Sequence, residues 1–249
     1  METSASNLWG LANPTRFMGF ADRAVPILAV LTVFLFAAGL YISMIAPEDY
    51  QQGHTVKIMF IHVPAAWLAM MTYSVMSVSA IGSIVWRHPL ADVSLRTAAP
   101  LGAVFTFLAL ATGSLWGKPM WGTWWEWDAR MTSVLILLII YLGLIALSKA
   151  FDEPSEAAQP LAVMTLTGIV ILPIIKFSVD WWNTLHQPAS ISRFDTPAMP
   201  SEFYIPLLIM AAAYIGLFFT LHLMSMRNEI LSRRIRSMKM KSARSKGTA

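Results

Sequence analysis

Cysteine is absent from the 249 residues. That excludes a disulfide framework, a thiolate metal site and a cysteine nucleophile. Charge is scarce: Asp, Glu, Lys and Arg together make up 13% of the chain, about half the share of a soluble domain. Gly/Ser linkers and internal repeats are missing, and no Gly-rich phosphate loop of the Walker type occurs. The apolar share is instead 56%, with a mean hydropathy of +0.58. Such a chain cannot cover its surface with polar groups in water, so it reads as an all-α integral membrane protein. The little charge present is uneven. From Arg227 onward, Arg227, Arg233, Arg234, Arg236, Lys239, Lys241, Arg244 and Lys246 face one acid, Glu229, a local balance of +7 that leaves the rest at −3.

A hydrocarbon core of roughly 30 Å takes about 20 apolar helical residues. Six stretches meet that length: 25–46, 58–86, 98–116, 131–148, 161–179 and 204–226. Pro26 suits a helix start and Pro47 follows a helix end, while Pro64, Pro173 and Pro206 fall inside spans. Six spans put both termini on one side. Arg16, Arg23, Arg87, Arg96 and the tail cations fall on that side, which the positive-inside rule makes cytoplasmic. The loop 149–160 runs against this, since it holds Asp152, Glu153 and Glu156. Acids weigh little in the rule, so both termini are expected in the cytoplasm. The expected organisation is one six-helix domain, 1–226, followed by a mobile basic cytoplasmic tail, 227–249, in contact with anionic lipid.

Under this topology the outer segments are 47–57, 117–130 and 180–203. They and the adjoining helix end hold Trp116, Trp121, Trp124, Trp125, Trp127, Trp181 and Trp182, seven of the ten tryptophans. Interfacial anchoring would populate both faces, so the one-sided excess points to a flat aromatic ligand. Its densest part is Trp121-Gly122-Thr123-Trp124-Trp125-Glu126-Trp127-Asp128. If that segment were helical, Trp121, Trp124, Trp125 and Asp128 would share one face as a rigid apolar platform.

His62, one turn inside the second span, and His186, in the last outer segment, lie on the same side. A lone histidine near a helix end is usually structural. Two from separate elements beside a tryptophan cluster can clamp an iron from both faces of a porphyrin. Arg130 and Arg193 could hold haem propionates by bidentate contacts; the plain alternative is that Arg130 pairs with Glu126 four residues earlier. His88 and His222 fall toward the other side. A haem-bearing subunit of a quinol oxidoreductase, which stacks ligand histidines through the bilayer, is the alternative reading. A transporter of another solute is the third, although no chain of ionisable residues crosses the midplane.

The segment 121–128 is similar to the tryptophan-rich WGxxWxWD signature of haem-handling proteins, without a departure. With six spans and the two outer histidines, the chain from about Arg16 to Arg227 resembles the cytochrome c maturation protein C family (CcmC, haem exporter protein C). The resemblance implies a bacterial inner-membrane carrier, not an enzyme. It implies transiently bound b-type haem on the periplasmic face, with His62 and His186 as axial ligands to the iron. Trp121, Trp124, Trp125, Trp127, Asp128 and Arg130 would make up the rest of the site. It also implies delivery to a periplasmic chaperone (CcmE), a small membrane subunit (CcmD) and an ABC transporter pair (CcmA and CcmB) that uses the ATP. Nucleic acid has no place among these partners.

Overall fold

The computed structural model describes residues 13–186, 191 and 199–247. Among these, every regular element is helical, and six helical segments are long and apolar enough to cross a membrane. Helix α1 is Pro14–Ile45, α2 Met59–Trp86, α3 Pro89–Trp121, α4 Ala129–Lys149, α5 Ala158–Gly168, α6 Ile171–Trp181 and α7 Ser201–Gly247. A 3-10 turn, His54–Ile58, leads into α2.

The helices begin earlier than the apolar runs suggest. Asn13 caps α1 by accepting from the Thr15 N–H at 2.8 Å, and Pro14 fills the first turn, where its missing N–H costs nothing. Pro26 therefore lies inside α1 and does not start it. Helix α3 likewise starts nine residues before its apolar run, at His88-Pro89. Between α2 and α3, Arg87 takes a left-handed conformation (φ 48°) and its neighbour's N–H returns to the Gly82 carbonyl, which turns the chain in two residues.

The fifth span is two helices, not the continuous one expected over 161–179. Pro173 has no N–H to return to Ile169, and the chain tightens there, with Ile169 N–H on Leu166 O. The Thr165 carbonyl is taken by the Tyr73 hydroxyl at 3.0 Å. A side chain at Gly168 would overlap that hydroxyl, so glycine admits the phenol at the break. Tyr141 reaches Ala69 O at 2.7 Å in the same way, over Gly102, and the two tyrosine rings meet edge to face at 5.5 Å. These fully buried phenols tie α2, α3, α4 and α5 together, each with its hydroxyl satisfied.

The tail does not begin at residue 227 as a separate body. Helix α7 runs unbroken through it, and its first cations pair with three other elements. Arg227 meets Asp22 of α1 at 2.7 Å, Arg233 meets Asp92 of α3 at 2.6 Å, and Arg236 meets Glu153 of the α4–α5 loop at 3.3 Å. The start of α1, the α4–α5 loop and the tail therefore share one end of the bundle. The acids of that loop, at odds with the charge rule in the sequence, have a structural use there.

Candidate functional site

At the opposite end, α3 is the wall on which the site is built. His62, in the first turn of α2, leans on it. Its Nδ1 lies 3.0 Å from Ala109 O and 3.1 Å from Thr112 Oγ1. The Ala109 carbonyl only accepts, and the Thr112 hydroxyl already donates to Leu108 O at 2.6 Å. The proton is therefore on His62 Nδ1, and Nε2 keeps its lone pair with no hydrogen bond among the described residues. Gly113 lies flat against the ring: a Cβ there would stand 3.0 Å from His62 Cε1. Trp116 closes the next turn edge-on to the imidazole at 5.7 Å, and its indole N–H is fixed by Gln52 Oε1 at 2.9 Å.

Helix α3 ends at Trp121 because Gly122 adopts φ 77° and returns its N–H to Lys118 O. Gly117 makes room for the Trp121 indole to fold back on the helix, its ideal Cβ position being 3.0 Å from the ring. On that indole rests His186, ring to ring at 4.9 Å. Gly113 and Trp121 are eight residues apart, roughly 12 Å of helix, so α3 supports both imidazoles. His62 also lies within electrostatic range of His186 and Arg130.

His186 is held by Asp128. Its Nδ1 donates to Asp128 Oδ2 at 2.7 Å, and the Thr184 hydroxyl donates to the same oxygen. Asp128 Oδ1 caps α4 by accepting from Met131 N–H at 2.7 Å. Burial pushes the Asp128 carboxyl up, but the hydrogen bonds from His186, Thr184 and Met131 outweigh it and bring it down to about 2. An ionised carboxylate only accepts, so His186 also carries a proton on Nδ1, and its Nε2 has no hydrogen bond among the described residues. This is the carboxylate–imidazole pairing that orients metal-binding histidines.

The segment 122–128 is not helical, so the expected single-faced platform does not form. A chain broken by Gly122 and held by the Asp128 cap fans the rings apart instead. Trp124 and Trp127 are 55% and 72% exposed. Trp125 is half-buried, edge-to-face with Trp127 at 5.3 Å, and its indole N–H is buried without a partner among the described residues. Arg130 does not pair with Glu126. Its Nε donates to Ser178 Oγ at 3.1 Å and its Nη2 to the carbonyls of Ile175 and Lys176 at 3.4 Å, which ties α4 to α6. Asp128 and Arg130 thus work first on the protein's own elements. Arg193 lies outside the described residues.

Among the described residues, no group of three or more His, Cys, Asp or Glu could hold a metal ion. Two imidazoles suit a metal that brings its own equatorial ligands, and the exposed indoles beside them suit an apolar ring. At the other end, His222 Nε2 bonds Ser94 Oγ at 3.1 Å and its ring stacks on Phe218. His222 is thus engaged by the protein's own side chains through Nε2.

The family model described as CcmC, heme exporter protein C, matches residues 7–241. The chain belongs to this family. A heme exporter protein C of Bradyrhizobium diazoefficiens is 64% identical, over 94% of this chain and 89% of its own length. That of Escherichia coli K12 is 46% identical, covering 89% of each. A cytochrome c biosynthesis ccmC-like mitochondrial protein of Marchantia polymorpha is 45% identical, over 85% of this chain and 91% of its own.

In this CcmC family member, sequence reasoning missed the supports of the histidines: Thr112, Ala109, Gly113, Gly117, Trp116 and Thr184. One signal was legible. Gly113 and Gly117 stand four apart in an apolar span, a pattern that marks close approach on one helix face. What approaches them was not legible.

Proposed function

We propose that this protein carries haem in the export branch of cytochrome c maturation. Haem is held between His62 and His186 at the tryptophan-rich end of the bundle. The observation that carries this is the shared state of the two imidazoles. Each spends Nδ1 on an acceptor-only partner, each keeps Nε2 free, and both rest on α3. Haem supplies the iron and four equatorial nitrogens, and the two histidines complete its axial positions. That closes the iron to oxygen chemistry, as suits a carrier that breaks no bond. Trp124 and Trp127 cover the ring edge. The indole N–H of Trp125 and the guanidinium of Arg130 are the donors available to propionates.

In this reading the protein sits in the bacterial inner membrane with the haem end in the periplasm and both termini in the cytoplasm. It hands b-type haem to a periplasmic chaperone of the CcmE kind. A small membrane subunit of the CcmD kind and the transporter pair CcmA and CcmB assemble with it. The family membership and the names of the relatives support this assignment.

The test is an absorption spectrum of the full chain purified in detergent. Wild type should show low-spin haem with two imidazole ligands, and H62A/H186A should lose it. An unchanged spectrum in the double variant would overturn the axial assignment.

A further inference from the structure

At the end of the bundle that holds the tail, α3, α4 and α7 line an open cavity of about 240 Å³. It is independent of the haem site and of the reading given for it. Its walls divide by level. Arg96, Lys149 and Glu229 line one side, just beyond the apolar runs, which end at residues 98, 148 and 226. Leu101 and Ile145 line the other, inside the runs. The polar half is thus at the depth of lipid headgroups and the apolar half at the depth of acyl chains.

The two cations are weakly neutralised. Arg96 makes no hydrogen bond among the described residues, and its Nη1 is buried without a partner. Its nearest carboxylate oxygen, Glu229 Oε1, is 3.8 Å away and already accepts from Arg233 at 2.7 Å. Lys149 is exposed at the end of α4 and pairs with no acid among the described residues. By contrast, the tail cations Arg227, Arg233 and Arg236 each have a carboxylate. With two cations and one acid, Glu229, that is shared with Arg233, the lining carries a surplus of one positive charge. A buried guanidinium without acceptors is costly unless an anion supplies them.

We propose that this cavity binds the phosphate headgroup of an anionic phospholipid, held between Arg96 and Lys149, with its acyl chains against Leu101 and Ile145. Basic pockets between spans at this depth are where such headgroups bind. The lipid would lock α3, α4 and α7 at the end opposite the haem site.

The test is native mass spectrometry of the full chain in detergent, titrated with phosphatidylglycerol and separately with phosphatidylethanolamine. Wild type should bind phosphatidylglycerol about tenfold more tightly. K149Q, which leaves the Arg96–Glu229 contact in place, should lose most of that preference, and R96Q/K149Q all of it. K239Q/K241Q, in the tail beyond the cavity, should keep it. Equal affinity for the two lipids, an unchanged preference in K149Q, or its loss in K239Q/K241Q would overturn the proposal. So would displacement of phosphatidylglycerol by millimolar inorganic phosphate, which would mark a site for soluble anions.

Discussion

The two histidines are equivalent in tautomer but not in strength. His186 is backed by a full negative charge, while His62 is backed by a carbonyl dipole and a hydroxyl. A carboxylate behind an imidazole raises its basicity toward a metal, and losing such a partner typically costs about 10–100-fold in affinity. Asp128→Asn should therefore weaken haem binding by about that factor. Thr112→Val, which leaves the Ala109 carbonyl in place, should weaken it less than about tenfold. Titrating haem into the purified variants and reading the Soret band checks both. An equal loss in the two would mean that the backing charge is irrelevant. The sequence placed His62, His186 and Asp128 in one region and gave no sign that Asp128 addresses His186. The two are 58 positions apart, and only the folded chain brings the carboxylate to the ring.

Among the elements, the broken fifth span is the clearest departure from the apolar pattern. Pro173 stands inside the run, but hydropathy is indifferent to whether a neighbour takes up the Thr165 carbonyl, which is left open where the Ile169 N–H turns to Leu166 O. Here Tyr73 does so, through space that only Gly168 leaves open. Gly168→Ala should destabilise the protein by about 1–3 kcal/mol through overpacking. Tyr73→Phe, which removes the hydroxyl that the new methyl meets, should make the double variant less than additive. Thermal unfolding in detergent of the two single variants and the double variant measures this; full additivity would mean that the glycine and the phenol are uncoupled. Helix α7 departs in the other direction. Its apolar run ends at 226, yet the helix continues to Gly247, and its first cations meet carboxylates on α1, α3 and the α4–α5 loop. Those carboxylates lie more than 70 positions away, so no local pattern contains the pairing.

For the whole molecule, the contacts of the tail with the start of α1 place these two elements at one end, with the tryptophan-rich loop at the other. The charge rule predicts that the tail end faces the cytoplasm, and this can be tested directly, because the chain has no cysteine. Glu126→Cys in the tryptophan-rich loop should react with a membrane-impermeant maleimide added to spheroplasts. Ser242→Cys in the tail should react only after permeabilisation. The reverse pattern would invert the orientation.

The sequence by itself determined the environment and the inventory. An apolar share of 56% with 13% charge demands a membrane, and the run lengths demand six spans. One-sided tryptophans with two histidines mark an end of the bundle where a flat ligand fits. These are properties of composition and local order, so they survive without coordinates. The tertiary structure decided how the inventory is used. It set which nitrogen of each histidine carries the proton, that Asp128 orients His186, that Arg130 ties α4 to α6, and that the tryptophans fan out from a broken helix. Each of these depends on hydrogen bonds and close approaches between residues distant in the chain, and such contacts exist only once the helices have packed.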